Sequence, residues 1–243
     1  MADARMANPL DEFQGQIATY FRQLTLATAY LKIGSQHLKT APATAAVSLK
    51  LADDLTTEPM QLRELLPYTG AVAAGVAELF QMKAIAAWSD LLNKLFTKFM
   101  NAHLDGIKFF PELKTRTARI DFSITSDINS QLREGLSADF AFEQYADRIR
   151  LINHRLNPNA LCDVDLLTIK KHVFIRNAVQ HHQGKVYDDM LKKLGSTQLA
   201  LLDSDGNAIS LGGGQPIHLF VPELDKLKRA LFLVTNTWKD HFA

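Results

Sequence analysis

From Ala71 to about His103, apolar side chains return at three- and four-residue steps: Val72, Val76, Leu79, Phe80, Trp88, Leu91, Leu92, Leu95, Phe96 and Phe99. That period is one face of an α-helix. An apolar stripe of this length has to be covered by other elements, so the chain is committed to a mainly α fold with packed helices. Glu78, Gln81 and Lys83 interrupt the most apolar part, Ala71 to Trp88. The segment therefore falls short of the roughly 20 clean residues a spanning helix requires, and a buried core or dimer-interface helix is expected. Gly106 and Pro111 close it.

Other segments read the same way. Phe13, Ile17, Tyr20, Phe21, Leu24, Ala27 and Leu31 form an amphipathic stripe, with Gly34 as its expected stop. Ala43 to Leu55 reads as a short helix after Pro42, with Leu49, Leu51, Leu62, Leu65 and Leu66 as core residues. Arg119 to Leu132 is ambiguous, because Ile120, Phe122 and Ile124 alternate like a strand before the pattern loosens. Ala138 to Leu156 is helical. After the break at Asn157-Pro158-Asn159, either Asn159 or Asp163 caps a helix carrying Leu166, Leu167, Ile169, Val173, Phe174, Ile175, Ala178 and Val179. Gly184 is its stop, and a short helix follows over about Val186 to Leu194. Leu199 to Leu202 and Ala208 to Leu211 flank Ser204-Asp205-Gly206-Asn207, a hairpin signal. Gly212-Gly213-Gly214 reads as a plain loop, since no Lys-Ser/Thr follows it as in a phosphate cradle. Pro222 starts a last helix, Glu223 to about Lys239. The domain reading is an N-terminal helical region, 1–68, and a helical domain, 69–243, with a small β-hairpin near its end.

Charge and cysteine content narrow the function. Against 27 Lys and Arg stand 26 Asp and Glu, a formal net charge of +1. A genome-coating protein would be strongly basic, so that class is excluded. Cys162 is the single cysteine, so neither an internal disulfide framework nor a four-Cys zinc site can form. His172, His181, His182 and His218 lack a recognisable ligand spacing, so no metal or other cofactor is expected. His172 is expected to be solvated beside Lys170 and Lys171, and Asp188 and Asp189 to lie on a solvated helix face. Met1 to Asn8 is polar and carries no export signal. A cytoplasmic location with no membrane contact is expected.

The chemistry concentrates at the end of one helix, in Arg176-Asn177-Ala178-Val179-Gln180-His181-His182-Gln183-Gly184. Arg176 and His181 point about 140° apart on a helix, whereas Asn177 and His181 share a face. Imidazole exchanges a proton near neutral pH, and guanidinium presents a charged fork to phosphate oxygens. Together they suit metal-free cleavage of RNA, where the ribose 2′-OH is the nucleophile. Arg-x4-His alone says little: with 11 Arg and 8 His in the chain, chance supplies about 0.4 hits. Arg148 and His154 make a second, looser hit. From Lys170 to Lys193 there are six Lys and Arg against two Asp, a local surplus that suits phosphate contact through Lys170, Lys171 and Lys185.

Taken with the apolar lead-in Val173-Phe174-Ile175 and the trailing Gly184, the segment Arg176-Asn177-x3-His181 resembles the signature of the HEPN-domain ribonucleases. The resemblance covers about the C-terminal third of the chain. It implies a helical bundle, usually homodimeric, with the motif helices of two protomers facing each other. It also implies metal-independent RNA cleavage, in toxin–antitoxin or phage-defence roles, with Arg176 and His181 catalytic and Asn177 beside them. His182 is a second candidate for the histidine. The position two residues after His181 is Gln183, not the Tyr that a partner antitoxin modifies in some members. A regulatory partner protein is a further expectation from the resemblance. Since some members have lost catalysis, the alternative is a non-catalytic helical interaction or RNA-binding module.

Overall fold

The structure, a computed structural model, describes residues 8–48, 50–113, 116–123 and 127–242. It is mainly helical, with short antiparallel strand pairs. In order come α1 (Pro9–Leu38), β1 (Ala46–Val47), β2 (Lys50–Ala52), β3 (Leu55–Thr56), β4 (Met60–Gln61), α2 (Leu62–Leu65) and α3 (Thr69–Leu104). There follow α4 (Ile128–Phe142), α5 (Tyr145–Leu156), α6 (Asp163–His181), α7 (Asp188–Leu194), β5 (Leu199–Leu202), β6 (Ala208–Leu211) and α8 (Val221–Lys239). The chain divides into two compact units: residues 8–17, 84–170 and 229–242 in the first, and 18–83 and 171–228 in the second. The unit boundaries fall within α1, α3, α6 and α8.

The first unit is organised on aromatic side chains. Trp88 is fully buried and stacks on Trp238 at 5.1 Å, with Phe13 at 5.8 Å. Each indole N–H finds an acceptor, Tyr145 Oη at 3.2 Å for Trp88 and Asn153 Oδ1 at 3.3 Å for Trp238, as buried donors require. Phe96 stacks on Phe140 at 4.1 Å. Arg148 is buried and donates to the Ser89 carbonyl and hydroxyl and to Asn93 Oδ1. It is a core cross-link, so the looser Arg148/His154 spacing carries no chemistry of the motif kind. At the start of α6, Asn157 accepts from the Leu161 N–H and donates to Asp163 Oδ1. Cys162 is buried there. Burial, with Asp163 and Asp165 beside it, pushes its thiol up to about 11.

In the second unit Leu24, Leu62, Ala74, Ala77, Ile175, Ala178, Met190, Leu199, Leu201, Leu219, Leu224 and Leu227 are buried. The hairpin forms where the turn residues place it. Strands β5 and β6 pair antiparallel from Leu199↔Leu211 to Leu202↔Ala208. Asp203 Oδ1 accepts from the Asp205 and Asn207 N–H groups, while Gly206 takes φ +86°. Helix α8 also matches its sequence pattern. The three-glycine loop is stitched to the chain after α6: Gly214 N–H donates to the Val186 carbonyl and Val186 N–H to the Gln215 carbonyl. A Cβ on Gly213 would lie 2.8 Å from Asp188 Oδ1, so a carboxylate occupies the space where a phosphate cradle would need donors.

Several readings are corrected. Gly34 does not end α1, which continues to Leu38; a single solvated glycine costs a helix only about 1 kcal/mol. The expected helix over 43–55 is replaced by antiparallel pairs, β1 with β4 and β2 with β3. Pairing with 55–61, which local propensity cannot register, overrides the Ala and Leu content. Ala138 to Leu156 is two helices broken at Glu143 and Gln144, both extended in backbone. Residues 119–121 form no strand, Phe122 and Ser123 lie in a turn, and Ile124 lies outside the described residues. Leu62 is buried and Leu65 and Leu66 half-buried, while Leu49 and the Leu51 side chain lie outside the described residues. Val72 and Leu79 are exposed, yet Trp88, Leu91, Leu92, Leu95 and Phe96 are buried. Helix α3 is long and apolar enough, by length and composition alone, to cross a membrane.

Candidate active site on helix α6

Helix α6 carries the whole motif. Its first turn holds Asp163 and Asp165, carboxylates that suit the positive end of the helix dipole, and its last turn holds His181. The stop is well built. The N–H groups of His182 and Gly184 both donate to the Ala178 carbonyl, at 2.8 and 3.0 Å. Gln183 and Gly184 take left-handed backbone angles, φ +55° and +68°. Wrapping the chain end this way satisfies carbonyls that the helix leaves open.

The motif residues are placed as follows. Arg176 and Asn177 are half-buried, and Arg176 Nη1 donates to Asn177 Oδ1 at 3.3 Å. His181 and His182 are exposed. The His182 ring stacks on Tyr187 at 3.9 Å, which fixes its orientation and leaves His181 as the less encumbered imidazole. Five residues separate Arg176 from His181, so they differ by about 7.5 Å along the axis and about 140° around it. Asn177 lies on the face of His181, yet the hydrogen bond found for its side chain among the described residues is the one from Arg176.

The three lysines are unlike one another. Lys185 is exposed and lies in an antiparallel bridge with Pro216. Lys170 belongs to the first unit, at the edge of a cavity of about 360 Å³ lined also by Tyr145, Ile149 and Leu166. Lys171 is engaged in the fold: its ammonium donates to Glu223 Oε1 and to the Ala200 carbonyl. Asp188 and Asp189 are exposed, and Asp189 pairs with Lys193 at 2.8 Å.

His172 requires a correction. It is not solvated beside Lys170 and Lys171 but fully buried. Its Nε2 lies 3.1 Å from Glu223 Oε1, and its carbonyl accepts from Gln81 Nε2 at 2.6 Å. Glu223, also fully buried, accepts from the Leu202 N–H through its other oxygen at 2.9 Å. This carboxylate thus ties α6, β5 and α8 together. Burial pushes Glu223 up, but the His172 hydrogen bond and the Lys171 charge outweigh it and hold the carboxyl down at about 2. Burial lowers His172, so the ring is neutral and donates Nε2–H. Its Nδ1 and Gln81 Oε1 are buried without a hydrogen-bond partner among the described residues. The signal for this cluster was present. Ile169, His172, Ile175 and Ala178 recur every three residues and all are fully buried, so His172 lies on the core stripe.

Among the described residues no group of three or more His, Cys, Asp and Glu side chains is arranged to hold a metal ion. No family model, characterised protein or solved structure matches the chain.

Proposed function

We propose that the chain is a metal-independent endoribonuclease of the HEPN type, acting in the cytoplasm as a toxin or antiviral effector. The observation that carries this reading is the ordered end of α6, where Arg176 is held by Asn177 and the His181 imidazole is open to solvent. The ribose 2′-OH attacks the adjacent phosphorus, the bond to the 5′-oxygen breaks, and a 2′,3′-cyclic phosphate remains. Arg176 offsets the negative charge that grows on the phosphoryl oxygens. His181 takes the 2′-OH proton or gives one to the leaving oxygen. Because the two side chains diverge around one helix, the cleft is composite. Two α6 ends, one from each protomer of a homodimer, set the Arg176 of one chain near the His181 of the other. Lys185 lies beside the motif and adds positive charge for the RNA backbone.

The test is cleavage of end-labelled RNA in EDTA by wild type, His181→Ala and Arg176→Ala, with product ends analysed. Wild type should leave cyclic-phosphate ends, and each variant should fall by about 10²-fold or more. Equal cleavage by all three proteins overturns the assignment.

A second reading, a non-catalytic interaction module, is favoured by one observation. Leu161, Val164 and Leu167 are exposed at 71, 76 and 59% around the start of α6, an apolar surface of the kind that partners cover. An assembly that forms through these residues, with no RNA cleavage by any of the three proteins, supports it.

A further inference from the structure

In the second unit, helix α1 carries two apolar stripes. Leu24 is buried, and Leu31, two turns on, is half-buried on the same side. Leu26, Tyr30 and Ile33 recur at steps of four and three, so they lie within about 60° of one another and about 140° away from Leu24 and Leu31. They are 49, 74 and 63% exposed. Among the described residues, none of α1 beyond Leu24 is buried, so the core of the unit does not use this outer stripe. The same unit exposes Val72 and Leu79 on α3, seven residues apart on one face. One turn on, Lys83 Nζ lies 5.8 Å from the Tyr20 ring of α1, so the two helices adjoin there.

Charge says what can cover the α1 stripe. From Phe13 to Ala52 the chain has no Asp or Glu, against Arg22, Lys32, Lys39 and Lys50. Lys50 pairs with Asp53, while Arg22, Lys32 and Lys39 are exposed. Arg22 stands one turn before Leu26 on the same face, and Lys39 follows the end of the helix. A second copy of this face would set basic residues against basic residues, with no acid on the segment to match them. RNA offers phosphates to the lysines and bases to Tyr30, but nothing apolar for Leu26 and Ile33. An anionic lipid surface meets every part. Its acyl boundary accepts Leu26 and Ile33, its headgroup level suits the tyrosine ring, and its charge faces Arg22, Lys32 and Lys39.

We propose that the outer face of α1, from Arg22 to Lys39, docks the second unit on an anionic membrane surface. The helix lies in the plane of the interface, a peripheral contact rather than a crossing. The inference does not depend on the ribonuclease reading.

The experiment is co-sedimentation of the full chain with phosphatidylcholine vesicles carrying about 30% phosphatidylserine, beside vesicles of phosphatidylcholine alone. The protein should pellet with the anionic vesicles at about 1 mM lipid, and less as salt is raised. Neutral vesicles should bind about tenfold more weakly or worse. The double variant Leu26→Ser, Ile33→Ser should weaken binding about tenfold or more. Lys32→Glu with Lys39→Glu should weaken binding to the anionic vesicles by a similar factor. All four side chains are exposed, so both variants should match wild type by circular dichroism. Phe142→Ser, which removes an exposed ring from α4, should bind as wild type does. The proposal is overturned by no pelleting with anionic vesicles, by equal binding to both vesicle types, or by an equal loss in Phe142→Ser. A lipid-free dimer that the Leu26 and Ile33 double variant dissociates would also overturn it, assigning the stripe to a second copy. So would RNA binding that the same variant abolishes, assigning it to a nucleic acid.

Discussion

Helix α6 carries two histidines with opposite fates. His172 is fully buried against Glu223, while His181, nine residues on, is exposed. Nine residues are two and a half turns, so the two rings leave the helix about 180° apart. The inner ring is locked among apolar side chains and held neutral by burial. The outer ring is open to solvent. Between them Arg176 points only about 40° from His172, which is why it is half-buried and bonded to its neighbour. One helix thus separates a structural histidine from a reactive candidate by rotation alone.

The contrast can be broken most severely from its buried side. Glu223→Ala removes the acceptor shared by Lys171, His172 and the Leu202 N–H. It should cost about 3–5 kcal/mol, as loss of one partner in a buried charge pair does, read as a shift in urea midpoint. Unchanged stability would mean that the cluster does not hold the second unit.

Acid should weaken the protein through the same cluster in two stages. The folded site disfavours the His172 proton, so stability declines as pH falls below 6.5, where the unfolded chain takes that proton up. Glu223, held at about 2, adds stability that is complete above its ordinary value of 4.5 and is lost as pH falls toward 2. His172→Gln keeps a donor to Glu223 but cannot titrate. Its stability between pH 6.5 and 4.5 should therefore fall less steeply than that of wild type. Parallel profiles would remove His172 from the account.

On the solvent side the effects are smaller. Asn177→Ala frees the Arg176 guanidinium and should lower RNA cleavage about tenfold, the value of one hydrogen bond to a charged group, with stability nearly unchanged. His182→Ala should cost about 0.5–1.5 kcal/mol through the lost stack on Tyr187 and leave cleavage intact. A large loss of cleavage would instead make His182 the working histidine.

What was legible in the sequence is local in origin. The hairpin, the α6 stop and α8 were readable because Asp203, Gly206, Gly184 and Pro222 act on their own neighbours. Residues 43–61 were not, because β1 pairs with β4 across the β2–β3 pair, an arrangement that composition does not encode. The motif residues could be placed on one helix from spacing alone. The burial of His172 was masked by Lys170 and Lys171 beside it in the chain. Periodicity with Ile169 and Ile175 was the better guide, since side chains three apart share a face.

The lone thiol has a practical consequence. Cys162 sits at the mouth of α6, buried, with its proton held tightly enough to suppress the thiolate. A thiol reagent added to the folded protein must wait for the start of α6 to open. With no second sulfhydryl in the chain to confuse the signal, the labelling rate is a built-in clock for that opening, and it can be read on the unmodified protein without an engineered probe.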